Sequence, residues 1–113
     1  MFGVHNGKYT LVSYKNHHAL QIQGNDNGGR LKTGVASNQA HELFEIIPCH
    51  HPDYKNKEAF YIRTHSGKFL DVAGGDSKNE AHIIQWDYNG NKNQIWFIEK
   101  CWFIYSYQLL FIR

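Results

Sequence analysis

Between Asp71 and Trp96 the chain carries a carboxylate, a large aromatic ring and a group of side-chain amides: Asp71, Trp86, Asn89, Asn93 and Gln94. A carboxylate accepts several hydrogen bonds at once, an amide both donates and accepts, and an indole offers a flat apolar face. Together they suit a ligand whose hydroxyls donate and accept and whose ring carries a patch of C–H groups, which is the chemistry of a sugar. Asp71 alternates with Leu70 and Val72, so a strand that turns the two aliphatic residues inward turns Asp71 outward. Plainer roles compete with these. An Asp beside a turn can cap backbone N–H groups, and Gln94 can satisfy local backbone groups while Trp96 fills the core.

Other chemistries are weaker in this sequence. The chain has eight His, densest at Cys49-His50-His51 with Asp53 close by. Zinc needs four ligands in a tetrahedron, and adjacent loop residues with no second Cys/His group at matching spacing do not provide it. The run Asn25-Asp-Asn-Gly-Gly29 lacks the closing Glu of a calcium loop, so a turn is expected there and no metal. Cys49 and Cys101 are the two cysteines, and they could bond only if their Cα atoms approached to about 6 Å. Pairing is not expected. There is no Gly-x-Ser-x-Gly, His-Glu-x-x-His, phosphate loop or dinucleotide fingerprint, and Asp71 has no evident carboxylate partner for glycoside hydrolysis. The expectation is a non-enzymatic chain with no cofactor.

These residues must be positioned by short strands. Phe60 to Thr64, Phe69 to Val72, Ile83 to Trp86 and Ile95 to Ile98 read as strands, with Ser66-Gly67, Gly74-Gly75-Asp76 and Asn89-Gly90-Asn91 as turns. The same unit precedes it. Asn16-His-His-Ala-Leu-Gln-Ile22 lies against Ser66-Gly-Lys-Phe-Leu-Asp-Val72 at an offset of 50, and Glu42-Leu-Phe44 lies against Gln94-Ile-Trp96 at an offset of 52. Repeat one spans about residues 8–48, a loop 49–58, repeat two about 59–99, and a degenerate third repeat or tail 100–113. The segment Ser37 to Ile47 could also form a short helix, but the repeat equates it with a strand, which Pro48 would end.

The second copy resembles the ricin B-type lectins. The resemblance rests on Ser66-Gly-Lys-Phe-Leu-Asp-Val-Ala-Gly-Gly-Asp76, on Ile83-Ile-Gln-Trp-Asp-Tyr-Asn-Gly-Asn-Lys-Asn-Gln-Ile-Trp96, and on the Gln-x-Trp mark Gln94-Ile95-Trp96. It implies an all-β fold, the β-trefoil, forming a single domain over residues 1–113 with two recognisable repeats. It also implies sugar binding of galactose or N-acetylgalactosamine type, with Trp86 stacking, Asn93 bonding a ring hydroxyl, and Asp71, Asn89 and Gln94 as further contacts. The sequence departs from much of the family in having Ile84 where a Gln steadies the Asp, with Gln85 beside the Trp instead. In the first copy Gln21 and Gly34 stand at the places of Asp71 and Trp86, so that copy is expected to be silent toward such a sugar.

Composition agrees with a small β domain. The chain has 113 residues, 42% hydrophobic and 15% aromatic, with ten Gly, a mixture of turn formers and strand-favouring aromatics. A net charge of +2 gives no field that points to nucleic acid. No apolar run is long enough to span a bilayer and no signal peptide is recognisable, so a cytoplasmic location, or secretion by an unconventional route, is expected. The tail Cys101 to Arg113 is mostly apolar or aromatic and is expected to fold over the two repeats or dock against a second chain. One weak sugar site per chain also favours a homo-oligomer. The competing reading is a trefoil-like structural or protein-interaction module that binds no sugar.

Overall fold

The computed structural model describes all residues except 1, 6, 13–15, 56–57, 76–81, 104–105 and 113; side chains are described except at these positions and at 2–5, 75 and 98–112. Asp76, in one of the turns read from the sequence, and the side chain of Cys101 lie outside the described residues.

Among the described residues ten strands follow one another: β1 Phe2–His5, β2 Lys8–Leu11, β3 Ala19–Ile22, β4 Leu31–Gly34, β5 Leu43–Pro48, β6 Ala59–Arg63, β7 Phe69–Val72, β8 Ile83–Trp86, β9 Trp96–Phe103 and β10 Ser106–Ile112. Between them lie single 3-10 turns, and no α-helix occurs among the described residues. Antiparallel pairing runs β1-β2-β5-β6-β7-β8, with β9 on β6 and β10 on β9, while β3 and β4 form a separate hairpin. The fold is all-β, a β-trefoil architecture.

The internal repeat is written into the strand register. In the β3–β4 hairpin Ala19 faces Gly34 and Ile22 faces Leu31. In the β7–β8 hairpin Phe69 faces Trp86 and Val72 faces Ile83. The first strand of each hairpin is displaced by 50 residues and the second by 52, so every pair in one hairpin has its counterpart in the other. The 3-10 turns Ala40–Glu42 and Lys92–Gln94 obey the same offset of 52. Left-handed backbone repeats as well: His17 (φ 58°) matches Gly67 (φ 80°), and Asn38 (φ 55°) matches Gly90 (φ 72°). A non-Gly residue seldom adopts this region, and Asn and His are among those that do. The geometry of the turn was kept while the residue that makes it easiest was exchanged.

The stretch 37–47 resolves as the single turn Ala40–Glu42 followed by β5, and Pro48 is the last residue of that strand. A helix would bury only one stripe of it, whereas β5 joins the sheet between β2 and β6. The tail continues β9 past Ile98, and β10 pairs antiparallel with β9.

The main core gathers Leu11, Ile22, Phe44, Ile62, Leu70, Val72 and Trp96. Its largest members correspond across the repeat, Phe44 with Trp96 and Ile22 with Val72. Burying each of these side chains contributes about 1.5–3 kcal/mol. Trp96 is a core residue, and its indole N–H donates to the Leu70 carbonyl at 3.1 Å. A second cluster of Cys49, Ala59 and Ile95 packs against Tyr54, Tyr61 and Phe97 and fastens the loop between the repeats. The ion pair Lys92–Asp53, at 2.6 Å, ties that loop to the turn Lys92–Gln94. His51 is engaged within the loop, its Nδ1 accepting from the Asp53 N–H at 3.1 Å.

Candidate functional site

Register and turn geometry together build an open cleft of about 480 Å³ on the second repeat, lined by Asp71, Gly74, Ile84, Trp86, Asn89, Asn91 and Asn93. β7 contributes Asp71 and β8 contributes Trp86, the last residue of its strand and 43% exposed. The turn that follows supplies Asn89 and Asn91, and the 3-10 turn Lys92–Gln94 supplies Asn93. Four of the five residues singled out from the sequence, Asp71, Trp86, Asn89 and Asn93, thus line one cavity.

Asp71 departs from the simple alternation. It turns away from Leu70 and Val72 as a strand requires, yet it is only 3% exposed, because Asn93 and Gln94 fold over it. Asn93 Nδ2 donates to Oδ1 at 2.8 Å and Gln94 Nε2 donates to Oδ2 at 2.9 Å. The carboxylate is therefore fixed in orientation, with lone pairs left over for a ligand.

Gln94 does not line the cleft. It is fully buried behind Asp71, where Nε2 also donates to the Asp87 carbonyl at 2.9 Å and Oε1 accepts from the Asn89 N–H at 3.2 Å. One amide thus orients the carboxylate and clamps the turn that carries Asn89. It takes over the steadying role for which the sequence has Ile84 in the expected place.

Trp86 is placed by its neighbours. Asp87 accepts from Lys68 Nζ at 2.8 Å and from Asn27 Nδ2 at 2.9 Å, and its N–H donates to Asn27 Oδ1 at 2.9 Å. The Lys68 ammonium, then the Asn27 amide, hold the Asp87 carboxyl below the usual carboxylate range. Tyr88 stands edge-on to Tyr61 and to Phe69, with ring centroids 5.5 Å apart in both cases, which braces the same turn from the other side.

Sequence reasoning missed Gln85. It is fully buried: Oε1 accepts from Thr64 Oγ1 and Ser66 Oγ, both at 2.8 Å, and Nε2 donates to the carbonyls of Gly24 at 3.0 Å and Asp26 at 3.1 Å. Its backbone pairs with Gly28 and Gly29 of the first repeat. The residue beside the exposed Trp is thus the pin between the two repeats. A polar residue alternating with Ile84 and Trp86 was the available signal.

The first repeat holds the same network with its chemistry exchanged. Gln21, at the place of Asp71, donates through Nε2 to Glu42 Oε1 at 2.9 Å, and Glu42 stands at the place of Gln94. Acid and amide have traded positions. The backbone partners are also equivalent: the Val35 carbonyl accepts from Gln21 as the Asp87 carbonyl accepts from Gln94, and the Ser37 N–H donates to Glu42 as the Asn89 N–H donates to Gln94. Burial acts to raise the Glu42 pKa, but the bonds from Gln21, Ser37 and Asn38 together outweigh it and hold the group below its ordinary value. Gly34 stands at the place of Trp86, and a Cβ there would lie 2.6 Å from Gln21 Oε1, so a ring at this position requires the Gln21 amide to move. The first repeat therefore has neither the free carboxylate nor the stacking face.

Comparison with solved structures agrees with this architecture. The designed threefold-symmetric protein ThreeFoil superposes with a TM-score of 0.75 over 93% of this chain and 72% of its own, at 23% identity. A Polyporus squamosus lectin superposes at 0.65 over 89% of this chain and 35% of its own, at 22% identity. An exo-β-1,3-galactanase from Clostridium thermocellum gives 0.73 over 97% of this chain but 21% of its own, at 19% identity. The chain thus has the β-trefoil fold. Residues 54–104 match the family model of ricin-type beta-trefoil lectin-like domains. No curated protein matches the sequence.

Proposed function

We propose that the chain is a non-catalytic carbohydrate-binding lectin that takes a terminal galactose or N-acetylgalactosamine in the cleft of the second repeat. The observation that carries this reading is the exposed ring of Trp86 sharing one cavity with the amide-fixed carboxylate of Asp71. Galactose suits such a cleft because its axial hydroxyl leaves one broad C–H face to lie on the indole, while adjacent hydroxyls reach the carboxylate and Asn93. Asn89 and Asn91 border the opening and offer further polar contacts. The similarity to a lectin solved with a sialylated galactose-containing epitope, and to a protein described as a galactanase, supports a galactose-containing ligand. Asp71 is the single carboxylate among the described lining residues, which suits binding more than hydrolysis.

A single shallow site of this kind binds at about millimolar strength, roughly −4 kcal/mol. Multivalent display, by self-association or on an assembly, would give useful avidity. Titration with galactose followed by tryptophan fluorescence, with glucose as control, tests the assignment. Asp71→Ala and Trp86→Ala are each expected to abolish the galactose response, and an unchanged response in both variants refutes the reading.

A further inference from the structure

The cleft of the second repeat has a counterpart on the first, an open cavity of about 440 Å³ lined by Ile22, Gln23, Gly24, Asn25, Lys32, His41 and His65. Three of these positions correspond across the repeat: Gly24 to Gly74, Lys32 to Ile84 and His41 to Asn93. The cavity has therefore survived while its chemistry has changed. An aliphatic side chain has become an ammonium and a neutral amide has become an imidazole, while the carboxylate and the indole have gone. A second imidazole, His65, reaches in from the turn between β6 and β7 of the other repeat.

Charge in this cavity is uncompensated. Among the described residues neither the Lys32 nor the His41 side chain has a hydrogen-bond or ion-pair partner. His65 Nε2 meets Asn25 Oδ1 at 2.7 Å, and its Nδ1 is buried without a partner. The nearby acids are spoken for or lie elsewhere: both Glu42 oxygens are taken up by Gln21 and Ser37, and Asp26 is not among the lining residues. A metal ion is a poorer match, since no three His, Cys, Asp or Glu converge among the described residues. An ammonium and two imidazoles around a cavity bordered by the amides of Gln23 and Asn25 match an acceptor-rich anion instead.

We propose that the first-repeat cleft binds a negatively charged group, a carboxylate or sulfate such as an acidic sugar carries, through Lys32 and His41, with the His65 ring in the cavity wall adding positive charge when protonated. This goes beyond the galactose reading and uses a different cavity. It also makes binding sensitive to pH. In the free protein burial first, then the positive fields of His41 and Lys8, hold the His65 pKa below its ordinary 6.5. Lys32 adds positive charge from β4, whereas Arg63 and Lys68, which flank His65 on its own hairpin, are directed to Glu45 and Asp87. A bound anion opposes that shift and raises the His65 pKa, so affinity rises as pH falls through the free-state value of His65.

Side-chain NMR of the histidines, titrated with sodium sulfate, sodium glucuronate or glucose at matched ionic strength, tests the proposal at about pH 5.5 and pH 7.5. The expected result is a saturable shift of the His41 and His65 ring signals by sulfate or glucuronate at the lower pH. It should weaken at least about tenfold at the higher pH, with no shift by glucose. Lys32→Ile and His41→Asn, which install the residues of the second repeat, should each reduce the affinity at least about tenfold. Glucuronate binding more tightly than sulfate would place the charge on a sugar, and the reverse order would identify a free anion as the ligand. Absence of any His shift with both anions at the lower pH overturns the proposal, as does an equal response to glucose or unaltered binding in both folded variants.

Discussion

Replacing Gln21 by Asp should destabilise the protein severely, and replacing Glu42 by Gln in the same chain should repair it. In the first repeat Gln21 Nε2 donates to the buried Glu42 carboxylate at 2.9 Å and to the Val35 carbonyl at 3.2 Å. Gln21→Asp deletes both donors and sets a second carboxylate against one that is 1% exposed. Losing a hydrogen bond to a charged group costs about 1.5–3 kcal/mol. Forcing two buried carboxyls to share a proton adds about 1.4 kcal/mol for each unit of pKa displacement. The expected cost is about 3–5 kcal/mol at pH 7, in the range measured when one partner of a buried pair is lost. A chain of 113 residues has about 6–17 kcal/mol in total, so the melting temperature should fall by roughly 12 °C or more.

In the double variant Gln21→Asp with Glu42→Gln, the new amide can donate to Asp at 21 and to the Val35 carbonyl while accepting from the Ser37 N–H. That is the arrangement Gln94 makes with Asp71, Asp87 and Asn89. Asp is shorter than Gln, so the close approach to Gly34 is relieved and not worsened. Stability should return to within about 1 kcal/mol of the parent, giving a coupling energy of at least about 2 kcal/mol across the cycle. Urea unfolding of the four proteins measures it. If the double variant is destabilised by the sum of the singles, the equivalence of the two networks is wrong.

Because the Glu42 pKa is depressed in the folded state, its contribution is present above the ordinary value of 4.5 and is lost as pH falls through the lower folded value; Glu42→Gln should therefore flatten the acid limb of stability measured from about pH 6 to pH 3. Gln85→Ala removes four side-chain hydrogen bonds and should cost about 2–4 kcal/mol. Hydrogen exchange should show protection lost first at Gly28, whose N–H donates to the Gln85 carbonyl, and an unchanged exchange pattern would remove Gln85 as the pin between repeats. Gly29→Ala places a Cβ 2.0 Å from the Gln23 carbonyl, a backbone atom that cannot step aside, and should lower stability by more than about 2 kcal/mol in thermal unfolding. Gly24→Ala meets no atom within 4 Å but holds φ at +71°, so its smaller loss of about 1 kcal/mol would be purely conformational.

The strands and turns were legible because their causes are local. Alternation in Phe69-Leu-Asp-Val72 and in Ile83-Ile-Gln-Trp86 sets two faces per strand, and the Gly and Asn residues mark left-handed turns within a few positions. The repeat was legible because equal spacing imposes equal register, and the two hairpins share theirs pair for pair. The types of residue gathered in the second-repeat cleft were legible too, since Asp71, Trp86, Asn89 and Asn93 all come from one copy. Alternation misjudged how deeply Asp71 sits. Periodicity says which way a side chain leaves its strand, but it carries no information about what folds over it afterwards.

By itself the sequence determined which residues could pair in a hairpin, where the chain must turn and which chemistry the second copy holds. Tertiary structure decided which polar groups meet. Gln21 and Glu42 are 21 residues apart and Asp71 and Gln94 are 23 apart, and no local rule couples such positions. Their exchange of acid and amide follows from burial, which leaves a carboxylate stable only where a donor is already aimed at it. The cavity of Lys32, His41 and His65 likewise draws on both repeats, so it exists only once the two copies have packed together.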